Sequence, residues 1–111
     1  FTYVDDLIDL MISAALGPNK DGEIFNGGTG TKTEILKMSE IIKEATGSLS
    51  NIIFKPARAW DKVKDRVSDT SKSASELGYQ PKVNIEEGLQ KTIKWYKENY
   101  DKVKSLKNYF E

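Results

Sequence analysis

Two prolines, Pro56 and Pro81, bracket the stretch that most limits what this chain can fold into, PARAWDKVKDRVSDTSKSASELGYQP. Proline fixes φ and removes a backbone donor, so neither end continues a helix or enters the middle of a sheet. Between them one run carries helical punctuation: Asp69 is placed to cap a short helix and Gly78 to close it. Ahead of that helix lies a loop bearing Arg58 and Asp61, followed by Arg66. Two arginines before a capped helix present forked, permanently charged donors that suit an anionic group held in fixed geometry. The same pattern also describes a solvated basic loop, and spacing alone leaves both readings open.

The rest of the chain reads as helices joined by two short apolar runs. Residues 5–16, DDLIDLMISAAL, predict a first helix with acids at its positive end and Gly17-Pro18 as its stop. Its apolar residues cover more than one face, the pattern of a helix buried on several sides or lying against a partner surface. Glu23 to Asn26 reads as a short strand feeding the Gly27-Gly-Thr-Gly30 loop. A second helix is expected over about 32–45, with Thr31 and Glu34 at capping-box spacing and Ile35, Met38, Ile42 and Ala45 as its inward stripe. Ile52-Ile53-Phe54 reads as a second strand, so strand–helix–strand predicts a βαβ unit with two parallel strands. Asn84 and Glu87 are spaced to cap a long final helix over about 85–109, with Leu89, Ile93, Tyr96, Tyr100, Val103 and Phe110 on one face. The expected fold class is therefore α/β and mostly helical: about four helices with two short parallel strands. Two strands make a poor sheet alone, a second sign of a missing neighbour.

Composition removes several functions. Seventeen basic and seventeen acidic residues cancel, so no strong field draws the chain to nucleic acid or an anionic membrane. Without cysteine there is no thiolate chemistry, and the compartment is left open; without histidine the commonest general base and metal ligand are gone. No apolar run approaches the roughly 20 residues that span a bilayer. The chain opens Phe-Thr-Tyr in mid-pattern without methionine, which reads as a fragment or processed product.

Four tempting motifs fail on detail. Gly28-Thr-Gly30 mimics a dinucleotide fingerprint, but Thr33 stands at the third glycine and Lys55-Pro56 where an acid belongs. Gly-Thr-Lys-Thr mimics a phosphate loop, but Thr31 replaces the glycine before the lysine. Asp5 and Asp6 look like paired carboxylates, yet neighbours on a helix point about 100° apart, and both read as helix-start acids. Five tyrosines and two tryptophans among lysines suit stacking on single strands, but charge balance and helical spacing argue against it.

Taken in order, Phe1-Thr-Tyr-Val-Asp-Asp-Leu7, Phe25-Asn-Gly-Gly-Thr-Gly30, Arg58-Ala-Trp-Asp61, Arg66, Asp69-Thr-Ser-Lys72, Leu77-Gly-Tyr-Gln-Pro81, Glu87-Gly-Leu89 and Trp95 resemble the C-terminal part of extended short-chain dehydrogenase/reductases, the NAD-dependent nucleotide-sugar epimerases and dehydratases. The resemblance covers roughly residues 1–97, with a helical tail from about 98 to 111. It implies that residues 1–111 are the substrate-binding portion of an extended fold lacking its Rossmann half. It also implies that the parent binds NAD(P), that this chain does not, and that no metal takes part. Tyr100 and Lys104 have the spacing of the family's catalytic pair but lie far downstream of its place, so the resemblance implies a chain inert alone.

By the same resemblance, Arg58 falls where the family places an arginine on the diphosphate, Asp61 where a carboxylate meets the ribose, and Arg66 where an arginine or tyrosine faces the same ligand. Thr31 and Phe1 match positions lining the nucleoside pocket. Arg-Ala-Trp-Asp departs from the usual Arg-Pro-Gly-Asp, so Arg58 is the firmest of these assignments. The implied partners are a nucleotide-diphosphate sugar and the Rossmann half, with a homo-oligomer through the apolar helices, in a cytoplasmic enzyme. The competing expectation is a non-catalytic helical module that binds a protein or itself.

Overall fold

The computed structural model of the chain describes residues 1–17, 21–56, 59–60 and 63–106. Their regular structure is five helices: α1 (Val4–Leu16), α2 (Ile35–Thr46), α3 (Ser71–Leu77), α4 (Ile85–Glu98) and α5 (Tyr100–Ser105). α1 packs on α3, α2 packs on α4, and α5 continues from α4.

Local chemistry sets most of the boundaries. The Asp69 carboxylate accepts the Ser71 N–H at 2.9 Å, and Gly78 leaves α3 in the left-handed region at φ 65°, where a side chain would be strained. The Asn84 side chain accepts the Glu87 N–H at 2.9 Å and opens α4 as its spacing predicts. Glu87 then pairs with Lys91 one turn on, at 2.8 Å. α1 ends at Gly17, which is extended rather than left-handed (φ −68°, ψ 135°), as the residue before a proline must be.

The expected pair of parallel strands is absent: the described residues contain no strand, and no backbone hydrogen bond joins residues 23–28 to 51–55. The physical reason lies in α3. Its Lys72 amine donates to Ile24 O (3.2 Å), Ser73 Oγ to Asn26 O (2.5 Å) and, just past the helix, Tyr79 Oη to Gly28 O (3.0 Å). Alternate carbonyls of an extended chain point to one edge. Side chains therefore occupy acceptors on that edge of 24–28 that a neighbouring strand would otherwise take. Ile24, Ile53 and Phe54 stay 82%, 77% and 76% exposed, so neither apolar run finds the burial that favours a strand.

Two helix limits also differ from expectation. α2 begins at Ile35 with Glu34 as N-cap and no side-chain cap bond, because the Thr31 hydroxyl turns back to Thr29 O (3.3 Å). The predicted single helix over 85–109 breaks at Asn99 (φ −112°, ψ 17°), and α5 stops at Ser105; the residues beyond 106 lie outside the described ones. Asn99 Nδ2 donates to Trp95 O at 2.9 Å, sharing that carbonyl with the Asn99 backbone N–H at 3.0 Å.

Few side chains are fully covered. Leu10, Tyr79, Asp6 and Ser73 are buried, while Val4, Ile8, Met11, Ile12 and Leu16 form an exposed stripe along α1. An apolar groove of ≈ 670 Å³ runs between α2 and α4–α5, lined mainly by Ile42, Leu89, Ile93, Tyr96 and Tyr100. The chain exposes 9490 Å², where a globular protein of 12.5 kDa exposes about 6,200 Å². Its radius of gyration is 17.3 Å against about 13 Å for a compact domain of this length. These helices form an open layer with apolar faces that a complete domain would cover.

A candidate binding hollow beside the N-terminal segment

The Gly27–Gly30 loop is held from two sides. Leu7 and Leu10 of α1 press against Gly27, and an added Cβ on Gly28 would overlap Ser68 Oγ. Tyr79, buried, fixes the loop from below through Gly28 O. The Thr31 N–H and hydroxyl both bond to Thr29, which folds the loop's exit into a tight turn. On the facing side Asp6, 2% exposed, accepts the backbone N–H groups of Lys82 (2.9 Å) and Val83 (3.2 Å). Sequence reasoning read Asp6 as a helix-start acid. Its i,i+4 relation to Leu10 was the available signal that it lies on the buried face of α1.

Between these walls lies a cavity of ≈ 350 Å³ lined by Phe1, Thr29, Thr31 and Thr33 on one side and residues 81–86 on the other. A smaller apolar cleft of ≈ 130 Å³ continues from it past Tyr3, Met38, Gly88 and Leu89, sharing Phe1, Val83, Asn84 and Ile85. Phe1 and Thr31 are thus brought together. Arg66 lies on a segment tied to the same loop, since the neighbouring Asp65 pairs with Lys32 at 2.7 Å. Arg58 and Asp61 lie outside the described residues. The wall formed by residues 81–86 was not foreseen; Pro81 and the Asn84 cap marked it only as a connection.

Two lysines beside the hollow are held in ion pairs. The Lys32 amine is held above its ordinary range by its hydrogen bond to Asp65, and Lys82 likewise by Asp9, 2.7 Å away. The hollow is lined by an aromatic ring, three threonines and the 81–86 segment. No group of three or more metal-binding side chains occurs among the described residues. The glycine loop does not fit a dinucleotide: the close approach that Gly28 permits is filled by Ser68, and no helix starts until Ile35. Among the described residues, no helix is long and apolar enough to cross a membrane.

No family model matches the chain. Against individual proteins it is 33% identical over 97 residues to a UDP-glucose 4-epimerase of Mycolicibacterium smegmatis, covering 87% of this chain and 30% of that protein. Its fold is similar to an epimerase of Methanothermobacter thermautotrophicus, with a TM-score of 0.88, 30% identity, 93% of this chain and 31% of the other. It is also similar to the Bordetella bronchiseptica enzyme WbmF, solved with NAD+ and UDP, with a TM-score of 0.79, 32% identity, 94% of this chain and 31% of that one. The chain spans about 30% of the length of the curated relatives it matches.

Proposed function

Because the chain belongs to the extended short-chain dehydrogenase/reductase family of nucleotide-sugar epimerases and dehydratases, we propose that it is the nucleotide-sugar-binding portion of such an NAD(P)-dependent enzyme. The observation that carries the reading is the hollow that joins Phe1 and Thr31 across from residues 81–86. In this reading the nucleoside lies against the Phe1 ring and the threonine hydroxyls. Arg66 and Arg58 hold the diphosphate through forked donors, and Asp61 takes the ribose. The sugar then projects away from the helices. A bound nicotinamide supplies the hydride chemistry; these residues supply position. The uncovered stripe of α1 is the natural seat of the Rossmann half, whose contact would bury Ile8, Met11, Ile12 and Leu16. Relatives that are nucleotide-sugar enzymes do not favour a free-standing interaction module.

Calorimetric titration of UDP into the wild-type chain and an Arg58→Ala variant tests the proposal. Binding that weakens about tenfold or more on losing the arginine is expected, the scale of a charge-assisted hydrogen bond. Equal affinities, or no binding to either, would overturn it.

A further inference from the structure

Asp6 is the most buried carboxylate among the described residues, and the binding reading above gives it no role. Both of its oxygens are committed: Oδ1 accepts the Lys82 N–H at 2.9 Å and Oδ2 the Val83 N–H at 3.2 Å. One turn further along α1, Asp9 holds the Lys82 amine at 2.7 Å. Two turns of one helix therefore grip the segment that supplies the far wall of the hollow. Phe1, on the near wall, stands three residues before the first residue of that same helix.

We infer that Asp6 is a positioning residue that sets the gap between Phe1 and residues 81–86, and through it the affinity for the nucleoside. The inference rests on the nucleotide-binding reading of that hollow. A carboxylate with two N–H donors fixes both the distance and the direction of the backbone it holds. Among the described residues, no other side-chain bond ties that wall's backbone to α1. A lost acceptor releases that backbone from α1, and a bound planar group loses contact with one face. Burial matters too: water cannot substitute for the missing acceptor without opening the joint.

The test compares Asp6→Asn, Asp6→Glu and Gly47→Ala with the wild type, each expressed as its gene encodes it. UDP, GDP and dTDP are titrated first, and the tightest binder is carried through the variants. Asp6→Asn keeps the volume but turns an N–H₂ toward one of the two donors. Asp6→Glu keeps both acceptors but lengthens the arm by a methylene. Gly47→Ala strains a helix end at φ 64°, away from the hollow, and serves as a control for lowered stability. Asp6→Asn and Asp6→Glu are expected to weaken binding about tenfold, while Gly47→Ala lowers the melting temperature and leaves affinity within about twofold. Should Asp6→Asn not fold, Asp6→Glu decides. Wild-type affinity in a folded Asp6 variant, or an equal loss in Gly47→Ala, overturns the positioning role. Failure of the wild type to bind any of the three nucleotides overturns the nucleotide reading itself, and this inference with it.

Discussion

Replacing Gly28 by alanine tests how tightly the loop beside the hollow is packed. The new methyl would overlap Ser68 Oγ and lie 3.0 Å from Ser68 Cβ, with Thr2 Oγ1 at 3.9 Å. The hydroxyl can rotate away, but the Cβ moves only with its backbone. Overpacking of this kind costs about 1–3 kcal/mol. If the loop yields instead, Gly28 O leaves the Tyr79 hydroxyl now 3.0 Å away, and a lost internal hydrogen bond adds about 1 kcal/mol. At about 4 °C per kcal/mol for a chain of this size, the melting temperature should fall by about 4–12 °C, and by up to about 16 °C if the hydrogen bond is lost as well. The assay is thermal unfolding followed by circular dichroism, in a cycle with Ser68→Gly, which removes both clashing atoms. Direct contact requires a coupling of about 1 kcal/mol or more, with the double variant better folded than the two losses add up to. An unchanged melting temperature in Gly28→Ala, or strictly additive effects, would show that the two segments do not meet as described.

Gly88→Ala should do the opposite. Its methyl would meet Tyr3 and Val83 at 3.4–3.6 Å, ordinary contact, while an alanine inside α4 gains about 1 kcal/mol over glycine, so a higher urea midpoint is expected. Tyr79→Phe leaves Gly28 O without its donor and should cost about 1–2 kcal/mol in denaturant unfolding. Burial pushes the Tyr79 phenol above its ordinary 10.0, so its contribution is complete below that range and is lost as pH rises through the raised value. The wild type should therefore weaken at alkaline pH more than Tyr79→Phe does, as melting scans across that range will record. At the acid end Asp69, held low by the Ser71 hydroxyl and N–H, contributes above the usual carboxylate range, and α3 should loosen as pH falls through the lowered value. Amide exchange at Ser71 reads this directly, and an Asp69→Asn variant should lack the effect. Asp65→Ala removes only an ion pair between half-exposed groups and should shift stability by less than about 0.5 kcal/mol.

What could be read from residues alone was what residues decide locally. Gly78 and Asn84 act on neighbours within one turn, so their caps stand where spacing places them, whereas the N-cap of α3 is Thr70 and Asp69, one residue earlier, takes only the Ser71 N–H. The family likewise shows in short motifs taken in order. The strands failed for a non-local reason: whether residues 23–26 join a ladder depends on what their carbonyls meet, and that is α3, far along the chain. Periodicity carried the last helix through Asn99 because it counts apolar positions and overlooks an amide that bonds back to Trp95. Thr31 kept capping-box spacing while its hydroxyl found Thr29 first. Asp6 was hidden by its type, since a carboxylate at a helix start is ordinarily exposed. Phe1 and Thr31 do share a hollow, yet its second wall comes from a connection with no motif of its own.

The grip of α3 on Ile24, Asn26 and Gly28 bears on self-assembly. An extended run with vacant acceptors is a template onto which a foreign strand can add, the first step toward cross-β stacking. Here lysine, serine and tyrosine already fill alternate acceptors on one edge of a segment that includes the exposed Ile24. That edge is closed to recruitment for as long as α3 stays folded, which makes a seven-residue helix the guard against fibril growth from this part of the chain.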